Sequence, residues 1–388
     1  MTRLNTVMSL SLIFILTSAS LTQSGDSPIG IFGYFQNSFQ HWTTFEDRKE
    51  QNSFSVQQLN LFFQKDLSRD WTAFINFEFL NSFSSIRQWG AANLEEAWVK
   101  YRANEKFNLK LGLQIPIFNN LNEIKNRTPL LPYIVRPLVY ETSFSEFIII
   151  EEFVPDRAFL QVYGFLPKGE TKCDYAFYLG NSSNMNDNRE KGQTGIDTTT
   201  TFLAGGRLGF RYRELKLGLS ATHEKKNGIR TLDFISLADS LGREPSELMG
   251  LPKTRLGVDM SYKFTNFIFE SEFVTVNIDE GIPELELDLD FYYATLGYHL
   301  TEQLFAYGSY WVVDVHSALL ATGDEKVEDE AIQTLNIGAS YDLNDRIRFK
   351  GQFARVKADE ELHLLSHDDV IKEEDKFSVY AVAVSVFF

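Results

Sequence analysis

The sequence predicts an all-β fold: a transmembrane antiparallel β-barrel of 16 strands, with short turns at one end and long loops at the other. Three observations carry this. Apolar residues alternate with polar or small ones at period two along most of the 388 residues. The connections between these stretches alternate short and long. Beyond the first few dozen residues no apolar run is long enough for a membrane helix, so a chain that spans a bilayer must do so as a closed barrel.

Composition narrows the class. A hydrophobic fraction of 44%, with 34 Phe, places the chain among folded proteins rather than disordered ones. A net charge of −16 argues against a general nucleic-acid binder, which needs a basic face. The single cysteine, Cys173, excludes a disulfide framework and any multi-cysteine metal centre. No cofactor is expected.

Taken in order, residues 1–24 read as a signal peptide. Arg3 begins it, an apolar run over 7–16 follows, and the small residues Ser18-Ala19-Ser20 and Ser24-Gly25 put cleavage near 20 or 24. The run is too short for a bilayer-spanning helix, and no cysteine follows it to carry a lipid anchor. Residues 25–388 are expected to form the barrel. Strands are read at 29–39, 52–65, 71–81, 92–102, 107–115, 157–166, 172–181 and 202–212, then 214–224, 254–264, 267–277, 290–301, 303–314, 332–342, 346–356 and 376–388. In 71–79, Trp71, Ala73, Ile75, Phe77 and Phe79 oppose Thr72, Asn76 and Glu78. In 52–65 the phase changes between Val56 and Leu59, which predicts a bulge. At the end of the chain, Tyr380, Val382, Val384, Val386 and Phe388 alternate strictly, as in a terminal strand read by barrel-insertion machinery.

The face opposite the apolar one carries basic Lys100, Arg102, Lys110, Arg207, Arg211, Lys216, Arg255, Lys263, Arg346, Arg348 and Lys350. Against these 11 stand the four acids Glu78, Asp174, Asp259 and Asp342, so the expected wall excess is about +7. The longest connection, 116–156, contains five prolines and apolar groups such as Leu130-Leu131 and Ile134-Val135. A loop free in water does not need that surface, and long loops without secondary structure are usually functional. An inward fold is expected, against the alternative of an external loop packed on its neighbours. Its cations Lys125, Arg127 and Arg136, with the adjoining Arg157, join Lys100, Lys110, Arg207, Arg211, Lys216 and Arg255 as candidate anion contacts.

The stretch Leu94-Glu95-Glu96-Ala97-Trp98-Val99-Lys100-Tyr101, followed by Leu109-Lys110-Leu111-Gly112-Leu113-Gln114-Ile115-Pro116, resembles the phosphate-selective porin O and P family. The resemblance extends over most of 28–388. It implies a sixteen-stranded trimeric channel for small anions, and the loop after the fifth strand matches the general-porin position for a loop that folds into the barrel. Porins of the family known for phosphate selectivity rely on stacked arginines and a lysine cluster at the constriction. Here the loop cations stand beside Glu123, Glu141, Glu146, Glu151, Glu152 and Asp156.

Other chemistry is sparse. No P-loop, dinucleotide fingerprint or nucleophile elbow is present. Gly205, Gly206 and Gly209 fall in a strand, where they are expected to keep the lumen clear. His363 and His367 have metal-ligand spacing beside Asp368 and Asp369, but in an acidic loop that reads as solvated. His299 maps to the inner wall with Thr295, a weak basis for a barrel enzyme. The expected function is passive diffusion of small hydrophilic solutes across a bacterial outer membrane, favouring anions such as phosphate. The rival is an adhesion or structural barrel with a blocked lumen. Expected partners are outer-membrane lipid and lipopolysaccharide, the insertion machinery, small anionic or neutral solutes and two further copies in a homotrimer, with no nucleic acid. Acidic residues concentrated in 279–290, 324–330 and 359–375 are expected to form an external fringe.

Overall fold

A computed structural model describes residues 28–43, 50–80, 91–140, 153–155, 157–182, 201–226, 251–278, 287–317, 330–358 and 375–388. The signal-peptide reading and the His363/His367 pair lie outside them. The described residues form a closed antiparallel barrel in which each strand pairs with its sequence neighbours and the first pairs with the last. The strands are β1 (Gly30–Trp42), β2 (Gln51–Asp66), β3 (Trp71–Leu80), β4 (Ala91–Asn104), β5 (Phe107–Gln114), β6 (Ala158–Lys168), β7 (Thr171–Gly180) and β8 (Leu203–Tyr212). They continue as β9 (Leu215–Lys226), β10 (Leu251–Phe264), β11 (Phe267–Ile278), β12 (Leu287–His299), β13 (Leu304–Ser317), β14 (Glu330–Asn344), β15 (Ile347–Ala358) and β16 (Asp375–Phe387). All sixteen expected strands are present, and closure leaves no unpaired sheet edge.

The seam depends on the last residues. β1 and β16 pair from Tyr34 opposite Phe387 to Trp42 opposite Val379. Gly33 and the final Phe388 then exchange two backbone hydrogen bonds, of 2.9 and 3.0 Å. Tyr380, Val382 and Phe388 are exposed on the outer surface, while Ala381, Ala383 and Ser385 between them are buried inside. Outside the barrel the strands present Leu, Phe, Tyr and Val, such as Leu208, Leu219, Leu256, Ile337 and Val382. That face suits hydrocarbon, where each Lys or Arg at mid-depth would cost about 2–4 kcal/mol.

The bulge expected in the second strand is found: Gln36 faces Gln58 and Asn37 faces Val56, leaving Gln57 as the extra residue. A second irregularity marks the end of β5, where pairing with β6 jumps from Leu111/Leu160 to Gln114/Ala158. Gly112 sits there at φ +116°, and a Cβ would lie 2.3 Å from the Ala97 carbonyl oxygen. Only glycine tolerates that backbone at that distance, and the chain turns into the barrel directly afterwards, at Pro116.

The polar-inside expectation holds for only part of the wall. On β11 to β16, toward the long-loop end, the inward residues are Val274, Val276, Leu289, Phe291, Trp311, Val313, Ile332, Val356, Phe377 and Val379. These pack against Phe118, Leu121, Leu131, Tyr133, Val135, Leu138, Val139 and Tyr140 of the long connection, forming one apolar core inside the barrel. Each fully buried side chain of this size contributes about 1.5–3 kcal/mol. The described parts of that connection, 116–140 and 153–155, are therefore folded inward.

Candidate functional site

The inward loop has little regular structure, only short 3-10 turns at Asn122–Ile124, Thr128–Leu130 and Leu138–Tyr140. Its backbone polar groups therefore depend on the wall. The buried Glu272 of β11 accepts the amides of Asn120 (2.9 Å) and Leu121 (2.8 Å) on one oxygen, and the Tyr140 hydroxyl (2.7 Å) on the other. From β15, the Lys350 ammonium donates to the carbonyls of Thr128 (2.7 Å) and Tyr133 (3.3 Å) and to Gln36 (2.7 Å). Gln352 accepts from the amides of Ile134 (2.7 Å) and Val135 (2.9 Å). Tyr133 donates to Thr295 of β12 at 3.0 Å. At the neck, the buried Asn122 amide donates to Pro116 (2.9 Å) and Pro155 (3.0 Å), tying the two ends of the loop together. The loop thus crosses the lumen and is held on several sides.

The cations expected to contact solute fall into two groups. Lys125 and Arg136 are buried within the loop, with Arg136 donating to the Lys125 carbonyl. Arg255 is buried against Glu224 at 2.5 Å, and Glu224 also lies 3.7 Å from Lys253. Arg207 is buried between two carboxylates, 2.7 Å from Asp174 and 2.7 Å from Asp259. Arg127 is paired with Glu96 at 3.3 Å. Lys125, Arg136, Arg207 and Arg255 are thus buried in the loop core or against wall carboxylates, whereas Arg127, though paired, keeps about a third of its side chain exposed. Arg157 is half-buried just before β6.

The second group is accessible. Lys100, Lys110, Lys172 and Arg211 are half-buried, and Arg102 and Lys216 exposed, on the inner wall of β4 to β9 toward the short turns. Aromatic faces support several of them. Lys110 lies 4.8 Å above the Trp98 ring and 5.9 Å from Tyr163; Lys172 and Arg211 lie 4.5 and 5.4 Å from Phe165. Glu123 of the loop stands within electrostatic reach of Lys110 and Arg127, and burial pushes its carboxyl above the usual carboxylate range.

The expected wall excess of about +7 is too large. Glu95, Glu96, Glu224, Glu270 and Glu272 also belong to the inner wall, as their inward-facing strand neighbours and loop contacts show. The glycine expectation changes as well. Gly205 makes room for the Tyr178 ring and Gly209 for the Asp174 carboxylate, with a Cβ 2.7 and 2.3 Å away respectively. Asp174, Gly209, Gly218 and Asp259 form one cross-strand row, and the two glycines let Arg207 lie flat between the two acids. His299 packs its ring on Phe305 at 4.8 Å.

The family model for phosphate-selective porin O and P matches residues 29–379, nearly the whole chain. The chain belongs to that family. It is accordingly an outer-membrane porin, a channel for small solutes, and this decides against the blocked adhesion barrel. Among solved structures, the porin is similar to an anion-selective porin from Comamonas acidovorans, with 13% identity and TM-score 0.60 over 93% of this chain and 99% of that one. It is also similar to the outer membrane channel DcaP of Acinetobacter baumannii, with 12% identity and TM-score 0.60 over 95% and 100%. The trimer form of OmpT, an outer membrane protein of Vibrio cholerae, matches at 11% identity and TM-score 0.55 over 93% and 99%. At these identities the likeness is one of fold. Among curated proteins none matches the porin significantly.

Proposed function

We propose that this porin passes small hydrophilic solutes with a preference for anions, phosphate among them. The observation that carries the reading is the accessibility of charge between β4 and β10. Lys100, Arg102, Lys110, Lys172, Arg211 and Lys216 are open or half-open to the lumen, whereas Glu96, Asp174 and Asp259 on the same wall are largely buried under Arg127, Arg207 and Arg211. Against these six cations stand the half-buried Glu95 and Glu123, so positive charge predominates in what a permeating ion meets there. Selectivity of this kind comes from pore width and the sign of the lining charge, with binding weak enough for release. Replacing Lys100 and Lys110 together by Ala tests it: the reversal potential in a KCl gradient should move toward the cation side, and an unmoved potential contradicts the reading.

The porin is read as a channel and not as an enzyme. Residues 1–24 act as the export signal, and Tyr380, Val382, Val384, Val386 and Phe388 form the insertion signal. Partners are outer-membrane lipid, lipopolysaccharide and the insertion machinery. The porin assembles as a homotrimer. Asn37, exposed on the outward face of β1 and paired across the sheet with Val384 and Val56, supports a protein neighbour there, because an amide facing hydrocarbon lacks hydrogen-bond partners.

A further inference from the structure

Two β-bulges on the inner wall grip one stretch of the inward loop. In β2 the extra residue is Gln57. In β4 the ladder passes from Asn76 opposite Glu96 to Phe77 opposite Leu94, so Glu95 is extra there. Neighbouring residues of a regular strand point to opposite faces, and a bulge re-aims them. Here each bulge brings two consecutive polar side chains into the barrel. Gln57 donates to the Ile134 carbonyl at 2.7 Å and accepts from Gln36 at 2.6 Å. Gln58 donates to the Asn126 carbonyl and accepts the Thr128 amide at 2.9 Å. Glu95 accepts from the Asn126 side chain at 2.6 Å, and Glu96 accepts from Arg127 at 3.3 Å. The bulged strands lie on either side of β3, so the segment 126–128 is held from two directions.

We propose that this double bulge is the device that sets the width and charge of the constriction. It draws the loop against β2 to β4 and keeps the Arg127 charge cancelled by Glu96, leaving the passage to the accessible cations of β4 to β9. Its residues are positioning residues: they act through the loop. The inference rests on the channel reading above. The geometry also indicates how to remove the device cleanly. Deleting Gln57 makes Gln58 and Val56 consecutive against Gln36 and Asn37, and deleting Glu95 does the same for Glu96 and Leu94 against Asn76 and Phe77.

The test is single-channel recording in planar bilayers on four proteins: wild type, the double deletion of Gln57 and Glu95, E96Q and E96D. The deletion should raise unitary conductance roughly twofold. E96Q should move the reversal potential further to the anion side, and E96D, which keeps the charge, should return it. Unchanged conductance in the deletion, or an unmoved potential in E96Q, overturns the clamp. A wild type that does not conduct overturns the channel reading instead. Folding is checked by the heat-dependent shift in gel mobility of an intact barrel. If the deletion does not fold, the Q58A/E95A protein, which keeps strand length, replaces it with the same expected rise, and no rise overturns the proposal.

Discussion

Glu272 is the sharpest single test of how the inward loop is held. One carboxylate oxygen receives the amides of Asn120 and Leu121, and the other receives Tyr140. Glu272→Gln keeps the shape and leaves a carbonyl oxygen for the two amides. The NH2 that replaces the second oxygen cannot accept from Tyr140, so that buried hydroxyl loses its acceptor, at a cost of about 2 kcal/mol of loop anchoring. That corresponds to about a thirtyfold faster local opening. Glu272→Ala removes the acceptor from three buried donors and costs more, on the order of 3–6 kcal/mol. Amide hydrogen exchange on the folded porin reads this directly. Asn120 and Leu121 should exchange about thirtyfold faster in the Gln protein, with strand amides of β7 to β10 unaffected. Unchanged exchange at both residues would refute the anchoring. Equal acceleration throughout the barrel would show that Glu272 supports the wall rather than the loop.

Other outcomes follow from the same geometry. Gly112→Ala should lower the barrel's stability by about 1–3 kcal/mol, measured as the urea midpoint of the folded form, because φ +116° is unfavourable for alanine and its Cβ meets Ala97. Arg207→Met should leave Asp174 and Asp259 without their shared cation; a loss of roughly 3–5 kcal/mol is expected, with a reversal potential shifted toward cations. Acidification should increase anion preference in the wild type. The Glu123 carboxyl is raised by burial, so it is charged above that raised pKa and neutral below it. Losing its negative charge beside Lys110 and Arg127 favours anions, beginning above the pH at which an exposed glutamate titrates. In Glu123→Gln that increment should disappear.

The barrel was legible because period-two alternation and alternating loop lengths are local signals. The phase change between Val56 and Leu59 likewise announced the β2 bulge. Its counterpart in β4 carries a fainter mark, a phase change between Leu94 and the small Ala97, and the β3 register is what places both Glu95 and Glu96 on the inner wall. Glu270 and Glu272 were not legible in this way. The inner face of β11 changes from Glu270 and Glu272 to Val274 and Val276, turned onto the loop, while Thr275 and Asn277 lie on the opposite face, so apolarity no longer marks the outside. The cations show the same limit. Arg207 and Lys110 look alike in sequence, yet one lies between two carboxylates across a row of glycines and the other lies over Trp98. Those partners come from strands up to 52 residues away, and their meeting depends on register that no short motif records.

The measurement that bears most directly on the whole account is the reversal potential of the wild-type porin in a planar bilayer separating two KCl concentrations. Stable conductance and a potential on the anion-selective side are expected, reduced when Lys100 and Lys110 are both replaced. A cation-selective potential, or a folded barrel that does not conduct, would contradict it.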